Sequence, residues 1–477
     1  MRSRGPVRSL IGLESEFFIA PLATNGRATV HHGAGALLRA VRHTVKVVAS
    51  YDGRLYLPNG GCAYLDIGSH PEYATPECET PDELVRFALA GDLLFLDASQ
   101  RAVEHSSRLA ELRVWRGSVT YSDRLVTCAS HENYSVPDMA SELWRYFVPF
   151  LVTRVIYAGS GGLEPHEGSV RFTLSPRVDR QALGAGPRFA FKCAEGIRGT
   201  ARLHLACGDA LASETSLFLR AAATALVVAA FEVNPKCVPH IELANNYDAM
   251  CVVAADASCK AELPLSDGGT DTAIGIQWRY LEYVSAACKT GRMPAWADDA
   301  VNLWARILTD LEEDIERLDF VLDWRIRLRT FNADQRLAAA LAGACSDVET
   351  VRRLRHLDRR FLWLGEGGVF SDMDAAGVLR HAIPGLRPSW ADGVLSSPAT
   401  SRARFRSAFV TQTRKAARHR VCDWSLLRCK ALGAISEIQL DQMYTDEYMP
   451  WQLNRLEEIG IIEPPPSVVH ACQQSAA

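Results

Sequence analysis

The stretch from Asn59 to Cys78, Asn-Gly-Gly-Cys-Ala-Tyr-Leu-Asp-Ile-Gly-Ser-His-Pro-Glu-Tyr-Ala-Thr-Pro-Glu-Cys, constrains the fold more than any other part of this chain. It packs three carboxylates, two phenols, an imidazole and hydroxyls among turn-forming glycines and prolines, a set that is costly to order unless something uses it. Tyr64 and Asp66 are two apart, so on a strand both polar groups share one face while Leu65 and Ile67 point to the other. Pro71 cannot donate to a sheet ladder, so the strand is expected to end or bulge there and leave His70 and Glu72 at its mouth.

The same spacing recurs. Glu14 and Glu16 share a face in Ile11-Gly-Leu-Glu-Ser-Glu-Phe-Phe18, His131 and Asn133 in Ser-His-Glu-Asn-Tyr, and Arg202 and His204 in Ala-Arg-Leu-His-Leu. A strand with one face in water accounts for any single pair. Solvent faces, however, are usually filled with Lys, Thr and Ser, and these carry Glu, Tyr, Asp and His. Four such strands together would line one sheet surface with oxygen ligands and cations.

The length of 477 residues suits one large and one small domain, or two to three average ones. With 52 Lys+Arg against 56 Asp+Glu the formal charge is -4, so no nucleic-acid surface or binder of acidic membranes is indicated. The N-terminal residues lack the apolar segment of a secretory signal, and no apolar run reaches spanning length, so a cytoplasmic protein is expected. The thirteen cysteines are odd in number and form no Cys-x-x-Cys, which argues against zinc sites and disulfides.

Helical periodicity covers Gly33 to Ser50. Thr80-Pro81-Asp82-Glu83 is a helix start with a Thr cap, Pro at the first position and Glu three residues after the cap, for a helix to about Ser107. Met139 to about Ile156, the Ala-rich run from Ala212 to Phe231 and most of Asp271 to Ala344 also read as helical. The Ala-rich helix is expected to be buried on most sides, its apolar part too short to span a bilayer. Pro384 to Pro398 reads as a linker, Ser401 to His419 as a basic helix and the residues from Pro464 as a frayed end. These features divide the chain into a large domain, 1–395, and a small C-terminal domain, 396–477.

The run Tyr64-Leu-Asp-Ile-Gly-Ser-His-Pro-Glu-Tyr-Ala-Thr75 resembles the signature of the Pup ligase and Pup deamidase (depupylase) family of glutamine synthetase-like carboxylate-amine ligases. Ile11 to Phe17, Ser130 to Tyr134, Pro149 to Arg154, Arg202-Leu-His204, Gly208 to Thr215, Thr400 to Arg404 and Asp423-Trp424 match in order. The resemblance implies an α+β fold, a curved and largely antiparallel sheet cradle packed on helices, with a small C-terminal domain contributing to the nucleotide site. It also implies ATP and Mg²⁺ as cofactors and an acyl-phosphate route, which activates a carboxylate that would otherwise repel an amine. By position it makes Glu14, Tyr64 and Glu72 magnesium ligands, Asp66 the catalytic base, and Thr75 and Trp424 nucleotide contacts. Glu16, His131 and His204 join the metal candidates, and Arg202 the nucleotide candidates, on the shared-face pattern and their place in matching motifs.

The departures matter too. Cys62 stands where the family's Asn-Gly-Ala-Arg-Leu-Tyr has an ATP-contacting arginine, so the nucleotide site is weakened or its charge comes from elsewhere. The family's Thr-Arg-Asp-Glu-Pro-His is replaced by Lys192-Cys-Ala-Glu-Gly-Ile-Arg-Gly199, and its Lys-Arg-Gly-Arg-Gly by Leu362-Trp-Leu-Gly-Glu-Gly-Gly368. Pup is acidic and disordered, and these losses argue for a small-molecule carboxylate and amine, an acid or amino acid of specialised metabolism, as the substrates. The alternatives are a Pup-like protein, with the chain a Pup ligase or depupylase, and a non-catalytic binding protein. The deamidase branch's long insertion is absent, which favours a ligase.

Overall fold

The computed structural model describes residues 5–66, 68–120, 126–137, 144–166, 169–178, 189–193, 200–344, 347–412, 418–431 and 434–458. Ile67, most of 192–199, Met139 and the residues from Pro464 lie outside them. By internal contacts the chain forms two compact units, one of residues 10–114, 192–202 and 386–477, the other of residues 1–9, 115–191 and 203–385. This is a different division from the one expected near residue 395, because the C-terminal segment packs with the N-terminal strands.

In the first, or sheet, unit, β1 (Ile11–Ala23), β2 (Val48–Ala49), β3 (Leu55–Tyr56), β4 (Cys62–Leu65) and β5 (Pro71–Ala74) lie in the order β1-β5-β4-β3-β2, each neighbour antiparallel to the next, with β6 (Leu109–Arg116) also against β1. Along the start of β1, Ile11, Leu13, Ser15 and Phe17 are buried while Gly12, Glu14 and Glu16 are half-buried, the expected alternation. Helix α1 (Val30–Thr44) ends before Lys46, six residues short of the expected Ser50, and Val48 and Ala49 join the sheet instead. Helix α2 (Pro81–Glu104) starts as expected: Thr80 Oγ1 accepts from Glu83 N at 3.2 Å, although the Glu83 carboxylate turns back to Glu79 N, at 2.9 Å, rather than to the cap residue.

Pro71 neither ends nor bulges a single long strand. It opens β5 opposite Leu65, where its missing N–H costs little, and the turn from Asp66 to His70 closes a β4–β5 hairpin. Glu72 therefore lies inside a strand, 5% exposed, rather than at a mouth.

The C-terminal segment closes over this sheet. Helix α3 (Ala403–Gln412) is followed by the antiparallel strands β7 (Arg418–Cys422), β8 (Leu426–Ala431) and β9 (Ala434–Gln439). The expected basic helix to His419 thus stops early. Phe405, Phe409, Val410, Cys422, Leu427 and Ile438 form one apolar cluster with Val48, Tyr56, Cys62 and Ala74 of the sheet. The supposed linker is packed too: Asn59 Nδ2 donates to Gly393 O at 3.0 Å, and a Cβ on Gly393 would meet Ala90 of α2 at 2.8 Å.

In the second, or helical, unit, the helix Glu214–Val233 is buried over residues 214 to 230. At 20 residues it is long and apolar enough to cross a membrane, contrary to the expected shortfall; it is its burial inside the unit that marks it as a core helix. The helices Ala273–Cys288 and Ala297–Glu313 pack on it. The strand Ser130–Pro137 is tied to it by charge: Glu132 accepts from Arg154 at 2.6 and 2.8 Å and from Tyr134 at 2.7 Å, with Arg220 Nε 3.9 Å away. All four side chains are buried, and the two guanidinium groups hold Glu132 below the usual carboxylate range against the opposing effect of burial.

Candidate active site

Strand register builds the site. Counting outward from Leu57, whose N–H donates to Gly61 O, Tyr56 faces Cys62 and Leu55 faces Ala63, which sets Arg54 beside Tyr64. Continuing across, Cys62 faces Ala74 and Tyr64 faces Glu72; Ala74 then faces Glu14, and Glu72 faces Glu16. Two rows therefore run across one face of the sheet. One is Tyr56-Cys62-Ala74-Glu14, and the other Arg54-Tyr64-Glu72-Glu16. The C-terminal apolar cluster takes in the first three members of the former.

Tyr64, Glu14, Glu16 and Glu72 thus share a surface: the spacing puts Glu14 and Glu16 on one face, and the register brings Tyr64 and Glu72 to it. Burial, then the negative charges of Glu72 and Glu14, pushes the Tyr64 phenol upward. Glu16 directly opposite Glu72 is a like-charge cross-strand pair, unfavourable by itself. A cation bound there would offset that cost. The donors of these four side chains are hard oxygens, the kind of set that fits Mg²⁺. Arg202 Nη1 lies 3.6 Å from Glu14 Oε1.

Asp66 sits in the hairpin turn. Its Oδ1 accepts from His70 N at 2.6 Å, and its Oδ2 lies 3.3 Å from His70 Nδ1. Burial acts to raise the carboxyl, but the bonds from His70 outweigh it and hold it below its ordinary value. The same bond raises the imidazole. Asp66 is therefore a carboxylate at neutral pH, with both oxygens turned to His70.

Trp424 lies at the other end. Its indole meets the Tyr56 ring edge-on at 5.5 Å, the Arg406 guanidinium stacks on it at 4.7 Å, and Tyr56 Oη donates to Asp423 Oδ1 at 2.9 Å. Thr75, 3% exposed, accepts from Leu13 N at 3.0 Å and so knits β5 to β1. Cys62, at the position of the family's ATP-contacting arginine and so a candidate for the nucleotide site, is 0% exposed within the apolar cluster and offers no surface to a nucleotide. His131 and His204 belong to the helical unit. Their rings meet edge-on at 5.1 Å, and His204 Nδ1 is 2.9 Å from Asn133 Oδ1.

Four residues escaped sequence reasoning. Arg54 is readable only once the hairpin register is known. Glu77 and Arg406, which pair in the C-terminal contact, are far apart in sequence and carry no local signal. Glu132 was hidden by its neighbours, since alternation points it away from His131 and Asn133 into the core.

A largely antiparallel sheet presenting carboxylates and a phenol on one face, with a tryptophan at its end, suits an ATP-dependent carboxylate-amine ligase. The family model for the Pup-ligase protein matches residues 23–188 and 194–428. A Pup–protein ligase of Brachybacterium faecium is 30% identical over 96% of this chain and 99% of its own length, and one of Rothia mucilaginosa 28% over 92% and 94%. Among solved structures, the complex between the prokaryotic ubiquitin-like protein Pup and its ligase PafA superposes with a TM-score of 0.80 at 22% identity, covering 98% of this chain and 94% of that one. PafA in complex with ADP gives 0.74 at 23%, covering 92% and 96%. The chain belongs to the Pup ligase family, and the ligase branch and α+β fold expected from its motifs hold.

Proposed function

We propose that this protein is a Pup–protein ligase, which uses ATP to join a carboxylate of a Pup-like protein to an amine of a target protein. The observation that carries this reading is the likeness to Pup–protein ligases along 96% of the chain, combined with the oxygen-lined face above. The expected small acid of specialised metabolism finds no support in these relatives and gives way to a Pup-like protein. Its argument rested on missing cations, and at Leu362–Gly368 one is supplied from outside the segment: Arg360 bonds Gly367 O through Nε and Nη2 at 2.9 and 2.7 Å. The helix that carries it, Val348–Arg360, has exposed Arg352, Arg353 and Arg359, a basic surface suited to an acidic partner.

In this reading Glu14, Tyr64 and Glu72, with Glu16 beside them, would hold magnesium, which would supply charge neutralisation for the phosphates. Trp424, pinned by Arg406 and Tyr56, receives the base, and Thr75 holds the strand joint beneath the phosphates. Arg202 stands at the carboxylate row where the substrate acid is activated as an acyl phosphate. Asp66, oriented by His70, takes the proton from the attacking amine. His131 and His204, on the helical unit, remain metal candidates.

The test is ADP release from ATP and Mg²⁺ with a Pup-like protein and hydroxylamine, beside a panel of small carboxylates. Hydroxamate on the protein, lost in Glu72→Ala, is expected. Hydroxamate only on a small acid, or no ADP release and no ADP binding, would overturn the reading.

A further inference from the structure

This inference rests on the nucleotide-dependent reading above. We propose that Arg54 supplies the polyphosphate of the bound nucleotide with the cation that Cys62 cannot.

Position 62 cannot serve, because its thiol is sealed at 0% exposure under the C-terminal segment. Arg54 stands one strand over, in the row of Tyr64, Glu72 and Glu16, and on the same face as Tyr56. Its guanidinium lies 5.1 Å from the centre of the Tyr64 ring, and its side chain is 35% exposed, so it is held yet open to a ligand. Asp52 fixes it from behind, Oδ2 lying 3.2 Å from Arg54 Nε. That contact is made through Nε, while the guanidinium carbon lies over the Tyr64 ring, and a guanidinium fork suits bidentate recognition of phosphate oxygens. Tyr56, two residues along the same strand face and so roughly 7 Å away, contacts Trp424. A nucleotide whose base lies at Trp424 and whose phosphates reach the carboxylate row therefore passes beside Arg54.

The alternative is that Arg54 only braces the turn through Asp52. Titration calorimetry of ADP and AMP, with and without Mg²⁺, on wild type, Arg54→Gln and Arg54→Lys separates the two. Arg54→Gln is expected to weaken ADP binding about tenfold or more while leaving AMP within about twofold, and Arg54→Lys to recover part of the loss. Unchanged ADP binding in Arg54→Gln would overturn the assignment, as would an equal loss of AMP and ADP, the mark of a damaged fold. If wild type binds ADP and the variants match it, only this inference fails. If wild type binds no ADP at all, the nucleotide reading fails and takes this one with it. Melting curves of both variants guard the comparison.

Discussion

Glu77 lies between two guanidinium groups, Arg402 Nε at 2.9 Å and Arg406, which also donates to it through Nη1 at 3.2 Å. Burial would raise this carboxyl, but Arg406 and then Arg402 outweigh it and bring it down to about 2. A carboxyl depressed in the folded state stabilises the fold fully above its unfolded value, about 4.3, and the gain is lost as pH falls toward 2. At pH 7 it amounts to at most about 3 kcal/mol. Glu77→Gln is therefore expected to lower the melting temperature at pH 7 and to narrow the gap to wild type as pH falls through 4 to 2. A gap independent of pH would refute the ion pair. At Cys62 the opposite logic holds: Cys62→Arg drives a guanidinium into an apolar cluster near Arg406, at a cost of several kcal/mol, roughly 3. Chemical denaturation should show that loss, and calorimetry no gain in ADP affinity. A rise in affinity would mean that the pocket opens. For Glu72, whose carboxylate lies between Tyr64 and Glu16, Glu72→Gln is expected to cut ATP-dependent turnover by about 100-fold or more while leaving the melting temperature near wild type.

The β3–β4 hairpin transmits these residue effects, because one turn sets both rows of the site. Gly60 in that turn has φ +83°, and a Cβ there would stand 2.4 Å from Ala403 O, a backbone atom of the C-terminal segment. Gly60→Ala is thus expected to cost about 2 kcal/mol or more in denaturant unfolding, from the left-handed backbone and the clash together, and to weaken ADP binding through Trp424. A neutral effect would show that α3 can shift. At this scale the sequence was readable where a pattern is local. The alternation of Glu14 and Glu16 on β1, and the Thr80-Pro81 start of α2, follow from neighbours within a few residues. The ends of α1 and α3 were not readable, because Val48-Ala49 and Arg418–Cys422 leave helical patterns only when a sheet partner is present to take their hydrogen bonds.

Across the whole molecule, the C-terminal segment is part of the sheet unit rather than a separable appendage. Removing residues 386–477 would strip Val48, Tyr56, Cys62 and Ala74 of their cover. A chain ending at residue 385 is expected to aggregate on gel filtration and to bind no ADP; a monomeric, nucleotide-binding truncation would contradict the packing described. The Pup-ligase motifs, the shared face of Glu14 with Glu16 and the oxygen-rich chemistry were all determined by the sequence alone, since period-two alternation and residue type need no partner; Asp66, expected on the strand face of Tyr64, lies instead in the turn after Leu65. Only tertiary structure decided that Glu72 faces Tyr64 from a second strand, that Cys62 is sealed, that Arg54 joins the carboxylate row, and that the stretch around Gly393 is packed. Each of these depends on which distant segment lies opposite, and pairing across a sheet or under a C-terminal layer is set by burial over long sequence separations that no local pattern encodes.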